Sequence, residues 1–247
     1  HRSKETLTMD LKGAQITWYG HATYVVRTPG GKRIMLDPWI QGNPACPENL
    51  KTVGKLDDIL ITHGHFDHIG DAVTTAASAQ PQHVLAIPET AGWLESKGVA
   101  NLVGFNKGGT FDLGGVKVTM THADHSCGIT DGETVIYGGE AVGYVITCEN
   151  GFKIYAAGDT NVFSDMAIIG DLYQPDLAIL PIGDFYTMGP REAAYAMKLL
   201  KVPAIMPIHY ATFPALTGSP AALKEALDSF GLGAVEVVDI KPGQTIG

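Results

Sequence analysis

The chain has 247 residues, of which 45% are hydrophobic and 17% charged. That is enough apolar sequence for one large core, and it excludes a disordered or coiled-coil chain. The net charge of −9 argues against non-specific binding to nucleic acid or to an anionic membrane, both of which need a basic surface.

Taken in chain order, the first third reads as strands over 15–19, 24–27 and 33–36, the last two joined by the turn Pro29-Gly30-Gly31. The apolar run Asp58-Ile59-Leu60-Ile61-Thr62 is a buried strand that ends in His63-Gly64-His65-Phe66-Asp67-His68, and a helix is predicted over about 69–79. A short strand follows at 84–87. Val116, Val118 and Met120 then alternate with Lys117 and Thr119, the period of a half-buried strand. Runs 143–148 and 152–156 flank the hairpin signal Glu149-Asn150-Gly151. The second half alternates: strand 177–180, helix 190–200 opened by Pro190, strand 204–207, helix 220–229 capped by Ser219, and strand 235–239. Hairpins together with helix-connected strands predict an α/β (α+β) architecture, two mixed sheets covered by outer helices, in one domain over 1–247.

The run at 63–68 places four metal-capable side chains within six residues, on a turn. From a turn they can fan out, His63 and His65 toward one ion and Asp67 and His68 toward a second. Five further residues follow strand-like runs: His21, Asp37, His125, Asp159 and His209. Ligand-type side chains repeated at strand ends predict a site at one edge of the sheets. His21 and Asp37 read either as an outer pair that orients ligands or as a structural His and a turn Asp before Pro38. Asp184 reads either as facing the site or as a solvated loop carboxylate. His1 and His83 default to the surface. Cys46, Cys127 and Cys148 form no CxxC pair and read as free thiols in a reducing, cytoplasmic setting, with Cys127 a small core residue despite its closeness to His125. No apolar stretch approaches the ~18 residues of a membrane span. The polar start His1-Arg2-Ser3-Lys4-Glu5 carries no secretory leader.

The His-x-His-x-Asp-His motif and the ordered His125, Asp159 and His209 resemble the metallo-β-lactamase superfamily, from Trp18-Tyr19-Gly20-His21 to Pro207-Ile208-His209-Tyr210. Gly20-His21-Ala22, Leu36-Asp37-Pro38-Trp39, Pro181-Ile182-Gly183 and Thr187-Met188-Gly189-Pro190 resemble a narrower group of metal-dependent hydrolases. That group is related to ascorbate-6-phosphate lactonases and, more distantly, to N-acyl-phosphatidylethanolamine phospholipase D. The resemblance implies a four-layer αββα sandwich with metals at one edge. It implies that His63, His65 and His125 hold a first divalent ion, that Asp67, His68 and His209 hold a second, and that Asp159 bridges both. His125 is preferred to His122 because Ala123-Asp124-His125-Ser126 looks like the family's segment. Asp159 stands where the antibiotic-degrading members that use a thiolate have Cys.

All seven presumed ligands are imidazole or carboxylate, a donor set that suits Zn²⁺ first and also Mn²⁺ or Fe²⁺. Two such ions would generate a hydroxide nucleophile near neutral pH, with Asp67 orienting it, so the expected activity is hydrolysis of an ester, lactone or phosphodiester in a small molecule. A redox or sensing protein on the same fold is the alternative. A homo-oligomer is compatible with the sequence. Segment 127–139 reads as a lid or a plain surface excursion. Tyr186, Thr187, Tyr210 and Phe213 are candidates for the pocket wall or the core.

Overall fold

The computed structural model of the protein describes residues 9–247. The first half carries β1 (Gln15–Gly20), β2 (Thr23–Arg27), β3 (Arg33–Leu36) and β4 (Asp58–Leu60), then α1 (Phe66–Ile69) and α2 (Ala72–Ala79), and β5 (His83–Ala86), α3 (Pro88–Ser96) and β6 (Leu102–Gly104). Next come β7 (Thr110–Asp112), β8 (Lys117–His122), β9 (Gly128–Asp131), β10 (Thr134–Tyr137), β11 (Val142–Thr147) and β12 (Lys153–Ala156). The remainder is α4 (Met166–Tyr173), β13 (Leu177–Pro181), α5 (Pro190–Leu200), β14 (Ala204–Ile208), α6 (Pro220–Ser229), β15 (Glu236–Val237) and β16 (Thr245–Ile246).

Two seven-stranded sheets result, ordered β16-β1-β2-β3-β4-β5-β6 and β15-β14-β13-β12-β11-β8-β7. Each is antiparallel on one side and parallel on the other: β1 to β3 pair antiparallel and β3 to β6 parallel, while β12 to β15 pair parallel and β7, β8, β11 and β12 antiparallel. The parallel strands β4, β13 and β14 are buried at every position. Both their faces are covered, which is why the sequence shows continuous apolar runs there rather than alternation.

Between the sheets Ile16, Tyr24, Leu36, Leu60 and Leu85 meet Met120, Tyr144, Ile154, Ile179 and Met206. The outer face of the first sheet packs Met35, Ile59 and Val84 against Ala72, Ala79 and Leu94 of α2 and α3. The outer face of the second packs Tyr155, Ala178 and Ile205 against Met166, Ala193, Met197 and Leu223 of α4, α5 and α6. The layers therefore run α, β, β, α, as expected. Ser219 caps α6, its Oγ accepting from the Ala222 amide at 3.2 Å.

The predicted helix over 69–79 is two helices broken at Gly70-Asp71. Asp71 is drawn away from helical geometry: its amide donates to the Pro38 carbonyl at 2.9 Å, and its carboxylate accepts from the Ile40 and Gln41 amides. Helices α3 and α4 were not expected. Gly92 and Thr90 in one and Gly170 in the other weaken the apolar stripe that marks a helix. Gly170 is required by packing, because a Cβ there would overlap the backbone of Leu200 in α5. Segment 127–139 is a two-stranded hairpin, β9–β10, turning at Gly132. Its Asp131 accepts from Trp93 Nε1 at 3.0 Å and Lys97 Nζ at 2.9 Å, and Ile129 is buried against Gly64. His83 is half-buried rather than exposed, its Nδ1 2.7 Å from Asp58 Oδ1. His1 lies outside the described residues.

The two sheets are tied directly below the 63–68 turn. Tyr144 of the second sheet donates its buried hydroxyl to the Ile61 carbonyl at 2.6 Å, and the Val142 amide donates to the Thr62 carbonyl at 3.0 Å. Tyr144→Phe leaves the Ile61 carbonyl buried without that donor. It should cost about 1–3 kcal/mol in chemical denaturation; a loss within experimental error would show that the hydrogen bond does not tie the sheets.

Candidate metal centre

The residues singled out after strands all arrive at one edge of the sandwich. His21 follows β1, Asp37 follows β3, His63 lies three residues past β4, His125 three past β8, Asp159 three past β12, and His209 directly follows β14. His21, Asp37 and His209 have φ of 56°, 48° and 56°. L-residues rarely adopt this left-handed conformation, and it collects at functional sites where the surroundings enforce it. Here it turns each side chain from the end of its strand toward the space between the sheets. The enforcing contacts are visible: the His209 amide donates to the His21 carbonyl at 3.0 Å, and Trp18 Nε1 donates to the same carbonyl at 3.1 Å.

Donor atoms of His63, His65 and His125 lie within 4.8 Å of one another, as do those of His21, Asp67, His68 and His209, and a third set, Asp37, His63 and His68, joins the two from behind. Asp159 stands between the first two groups. Its Oδ2 is 3.8 Å from His63 Nε2 and 3.7 Å from His125 Nε2 on one side, and 3.2 Å from His68 Nε2 and 3.0 Å from His209 Nε2 on the other. Asp67 Oδ2 is 3.6 Å from His68 Nε2 and 3.5 Å from His209 Nε2. Asp159 Oδ1, His68 Nε2 and His209 Nε2 are nonetheless buried without a properly aligned hydrogen bond. Buried polar atoms are normally satisfied. Several orphaned lone-pair donors aimed at one space, all imidazole or carboxylate, fit divalent cations.

Partners behind these groups fix which nitrogen faces inward. Asp37 is a carboxylate and can only accept, so His68 Nδ1, 2.7 Å from Asp37 Oδ2, carries the proton and Nε2 faces Asp159. Asp37 also accepts from the Thr62 amide at 2.8 Å and the Thr62 hydroxyl at 2.6 Å. With its hydrogen committed there, Thr62 Oγ1 accepts from His63 Nδ1 at 3.0 Å. The His63 Nε2 lone pair then points at His65 Nδ1, 3.0 Å away. His21 Nε2 donates to Asp67 Oδ2 at 2.8 Å, so its Nδ1 accepts from the Thr212 hydroxyl at 2.8 Å. These carboxylate–imidazole pairs are the arrangement that orients metal-ligating histidines. His125 is set by its neighbour: the Asp124 amide donates to Thr160 Oγ1 at 3.0 Å and the Asn161 amide to the Asp124 carbonyl, which joins this loop to the Asp159 segment.

All seven expected ligands are thus brought together, with His21 hydrogen-bonded to Asp67 and Asp37 to His68. His122 is not among them. It is exposed at the end of β8, edge-on to Phe163 with ring centroids 4.9 Å apart. Asp184 is exposed and accepts from the Phe185 amide. Cys127 is buried, and its Sγ accepts from the Gly64 amide at 3.3 Å, holding the His turn by its backbone. Thr62, Thr212 and Tyr144 contribute to the site and were not singled out from sequence. Thr62 alone had a legible signal, as the residue between a buried strand and the His turn.

Electrostatics divide the cluster. Burial holds His63, His65 and His125 below the usual imidazole pKa, and burial lowers His21 to about 4. Burial works the same way on His68 and His209, but the neighbouring Asp159 carboxylate outweighs it; His209 rises to about 9 and His68 rises as well. Burial raises Asp159 and Asp67, and the adjacent imidazoles more than reverse this, so both stay ionised. In the metal-free protein, His68 and His209 therefore hold protons where cations would sit. Both folded pKa values exceed the unfolded one, so the stabilisation is complete below about pH 6.5 and is lost above it, for His209 as pH rises through about 9. Chelator-treated protein should lose stability between pH 6.5 and 9, and Zn²⁺ added at pH 7 should release protons. Calorimetry in buffers of different ionisation enthalpy reads the release; binding without proton release would contradict this charge arrangement.

Comparison with known proteins agrees with the geometry. Residues 32–210 match the family model of the β-lactamase superfamily domain. The chain is 56% identical over 237 residues to a UPF0173 metal-dependent hydrolase of Koribacter versatilis, covering 96% of this chain and 99% of that one. It is 53% identical over 232 residues to a UPF0173 metal-dependent hydrolase of Solibacter usitatus, covering 94% and 99%. The structure of a metallo hydrolase from the hyperthermophilic archaeon Ignicoccus hospitalis is similar at a TM-score of 0.83 and 34% identity, covering 94% of this chain and 97% of that one. With a sandwich of two mixed sheets and a His/Asp cluster at its edge, the chain belongs to the metallo-β-lactamase superfamily, in its UPF0173 group of metal-dependent hydrolases.

Proposed function

We propose that the protein uses two divalent cations, Zn²⁺ or failing that Mn²⁺ or Fe²⁺, to hydrolyse an ester, lactone or phosphodiester bond in a small molecule. The observation that carries this reading is the convergence of four imidazole Nε2 atoms, two from each donor group, within 3.0–3.8 Å of Asp159 Oδ2. His63, His65 and His125 would hold one ion, Asp67, His68 and His209 the other, and Asp159 both. Bound there, the ions supply an acidified water and a Lewis acid for the substrate's reacting oxygen.

The chain's own residues then do three things. Asp37 and Thr62 lock His68 and His63 in the tautomers that present Nε2. Asp67 remains a carboxylate, one oxygen held by His21, and it lines the cavity beside His65 and His209. It can accept a hydrogen bond from a nucleophilic water and aim it, but its depressed pKa excludes it as an acid at neutral pH. His209, set on its strained backbone by the His21 carbonyl, closes the far side. No serine or cysteine nucleophile is required. The cavity in front of the donors is about 860 Å³, the size of a small-molecule site.

Asp159→Ala removes a shared negative charge from between two cations, and turnover on an ester panel should fall by several orders of magnitude with weaker metal binding. His125→Ala should lower both metal content and turnover strongly, whereas His122→Ala should leave both near wild type. Elemental analysis alongside steady-state kinetics reads these variants. Near-normal turnover in Asp159→Ala, or equal losses for the two histidine variants, would refute the assignment.

A further inference from the structure

The proposed reaction leaves the substrate open, and the wall of the cavity narrows it. Beside the donors the cavity is lined by Phe66, Phe185, Tyr186, Phe213, Pro214 and Ala215, with Ser126 and Thr130 the remaining, uncharged polar residues. Among the described residues, no lysine or arginine lines the cavity. Three of these rings remain open to solvent: Phe66 is 60% exposed, Phe185 72% and Tyr186 58%. Exposed rings gathered at one mouth call for an explanation, whereas single surface apolar residues do not.

The backbone that carries them strengthens the case. Asp184 and Phe185 have φ of 67° and 62°, two successive non-glycine residues in the left-handed region. The turn is enforced by the Asp184 amide donating to the Met188 carbonyl at 3.0 Å, the Tyr186 amide to the Asp184 carbonyl at 2.7 Å, and the Phe185 amide to Asp184 Oδ1 at 2.7 Å. Phe185 and Tyr186 stand edge to face, with centroids 4.7 Å apart. On the other side Phe213 lies 5.9 Å from Trp39 and 5.6 Å from His21, and Trp39 lies 5.7 Å from Phe66. A strained turn that displays rings to solvent gains nothing for folding. It forms a fixed platform for a ligand.

We infer that the non-reacting part of the substrate is a neutral aromatic or aliphatic group, which rules out a substrate that carries a second, non-reacting anionic group such as a phosphate-bearing lactone. The inference rests on the hydrolytic reading above. The positive charge of two dications, partly offset by the carboxylates Asp67 and Asp159, would lie at the reacting group, and the wall beyond it carries none. A second anionic group, such as a phosphate, would leave water to lie against rings with no arginine or lysine to receive it, an uncompensated desolvation. An apolar substituent loses nothing there and gains the burial of its surface.

The test compares ligands that share one metal-seeking head and differ only in the tail. Acetohydroxamate, benzohydroxamate and 4-carboxybenzohydroxamate are titrated calorimetrically into Zn²⁺-loaded wild-type protein and into Phe213→Ala and Tyr186→Ala, with metal content measured for each. Tyr186 is exposed, so its truncation leaves the core intact. Benzohydroxamate should bind about tenfold more tightly than either of the others, and each truncation should erase most of that advantage while acetohydroxamate binding stays unchanged. Equal affinity for the acetyl and benzoyl compounds, tighter binding of the carboxylated one, or full retention of the benzoyl advantage in both variants would overturn the inference and leave the hydrolytic reading untouched. A benzoyl preference in a protein that hydrolyses no ester would uphold the pocket assignment and sink the hydrolytic reading.

Discussion

The edge of the sandwich is organised around one carboxylate. Asp159 Oδ2 has imidazole nitrogens from His63, His125, His68 and His209 within 3.8 Å, brought by the ends of β4, β8 and β14 and by α1. A buried ionised carboxylate is tolerated only with compensating positive charge or hydrogen bonds. In the protein alone that compensation comes from protons on His68 and His209, since the remaining histidines are kept neutral by burial. Divalent cations in the same space would compensate it better, because they carry more charge than the protons they displace and could also satisfy Asp159 Oδ1, which the protonated form leaves without a partner.

That carboxylate can occupy the centre because the backbone around it is fixed from several directions. Gly158, with φ of 65°, precedes Asp159, and a Cβ there would overlap the Thr62 side chain and the Val142 carbonyl. Gly183 packs so closely on the His209 carbonyl that any side chain would displace His209. The left-handed conformations of His21 and His209 are joined by a hydrogen bond between the two sheets, and that of Asp37 is held within the first sheet by Leu60 and Thr62, so the site and the sheet–sheet contact stabilise each other. This coupling is why Thr62 and Tyr144, neither of them a metal-type ligand, belong to any account of the centre.

Much of this was legible in the sequence, for physical reasons. Parallel strands buried on both faces show as unbroken apolar runs, and β4, β13 and β14 were found that way. The His turn was found because four ligand types rarely crowd onto one turn after such a strand. The choice of His125 over His122 came from resemblance; β8 ends on His122, outside the donor groups, and His125 lies three residues further on, beside His63 and His65. Helix α4 is hidden because Gly170, needed for close packing on α5, interrupts its stripe, and α3 because Thr90 and Gly92 weaken its own. Segment 127–139 was readable as a turn-rich excursion, but only tertiary contacts of Asp131 and Ile129 show that it is a pinned hairpin. The orienting role of Asp37 could not be separated from that of a turn residue, because both readings place an aspartate before Pro38.

The central claim is that Asp159 is shared by two cation sites. Anomalous diffraction from crystals of the protein grown with Zn²⁺ tests it most directly. The account predicts two anomalous peaks per chain, one among His63, His65 and His125 and the other among Asp67, His68 and His209, each at about 2.0–2.2 Å from a carboxylate oxygen of Asp159. A single peak at saturating metal, or two peaks that leave Asp159 uncoordinated, would contradict it.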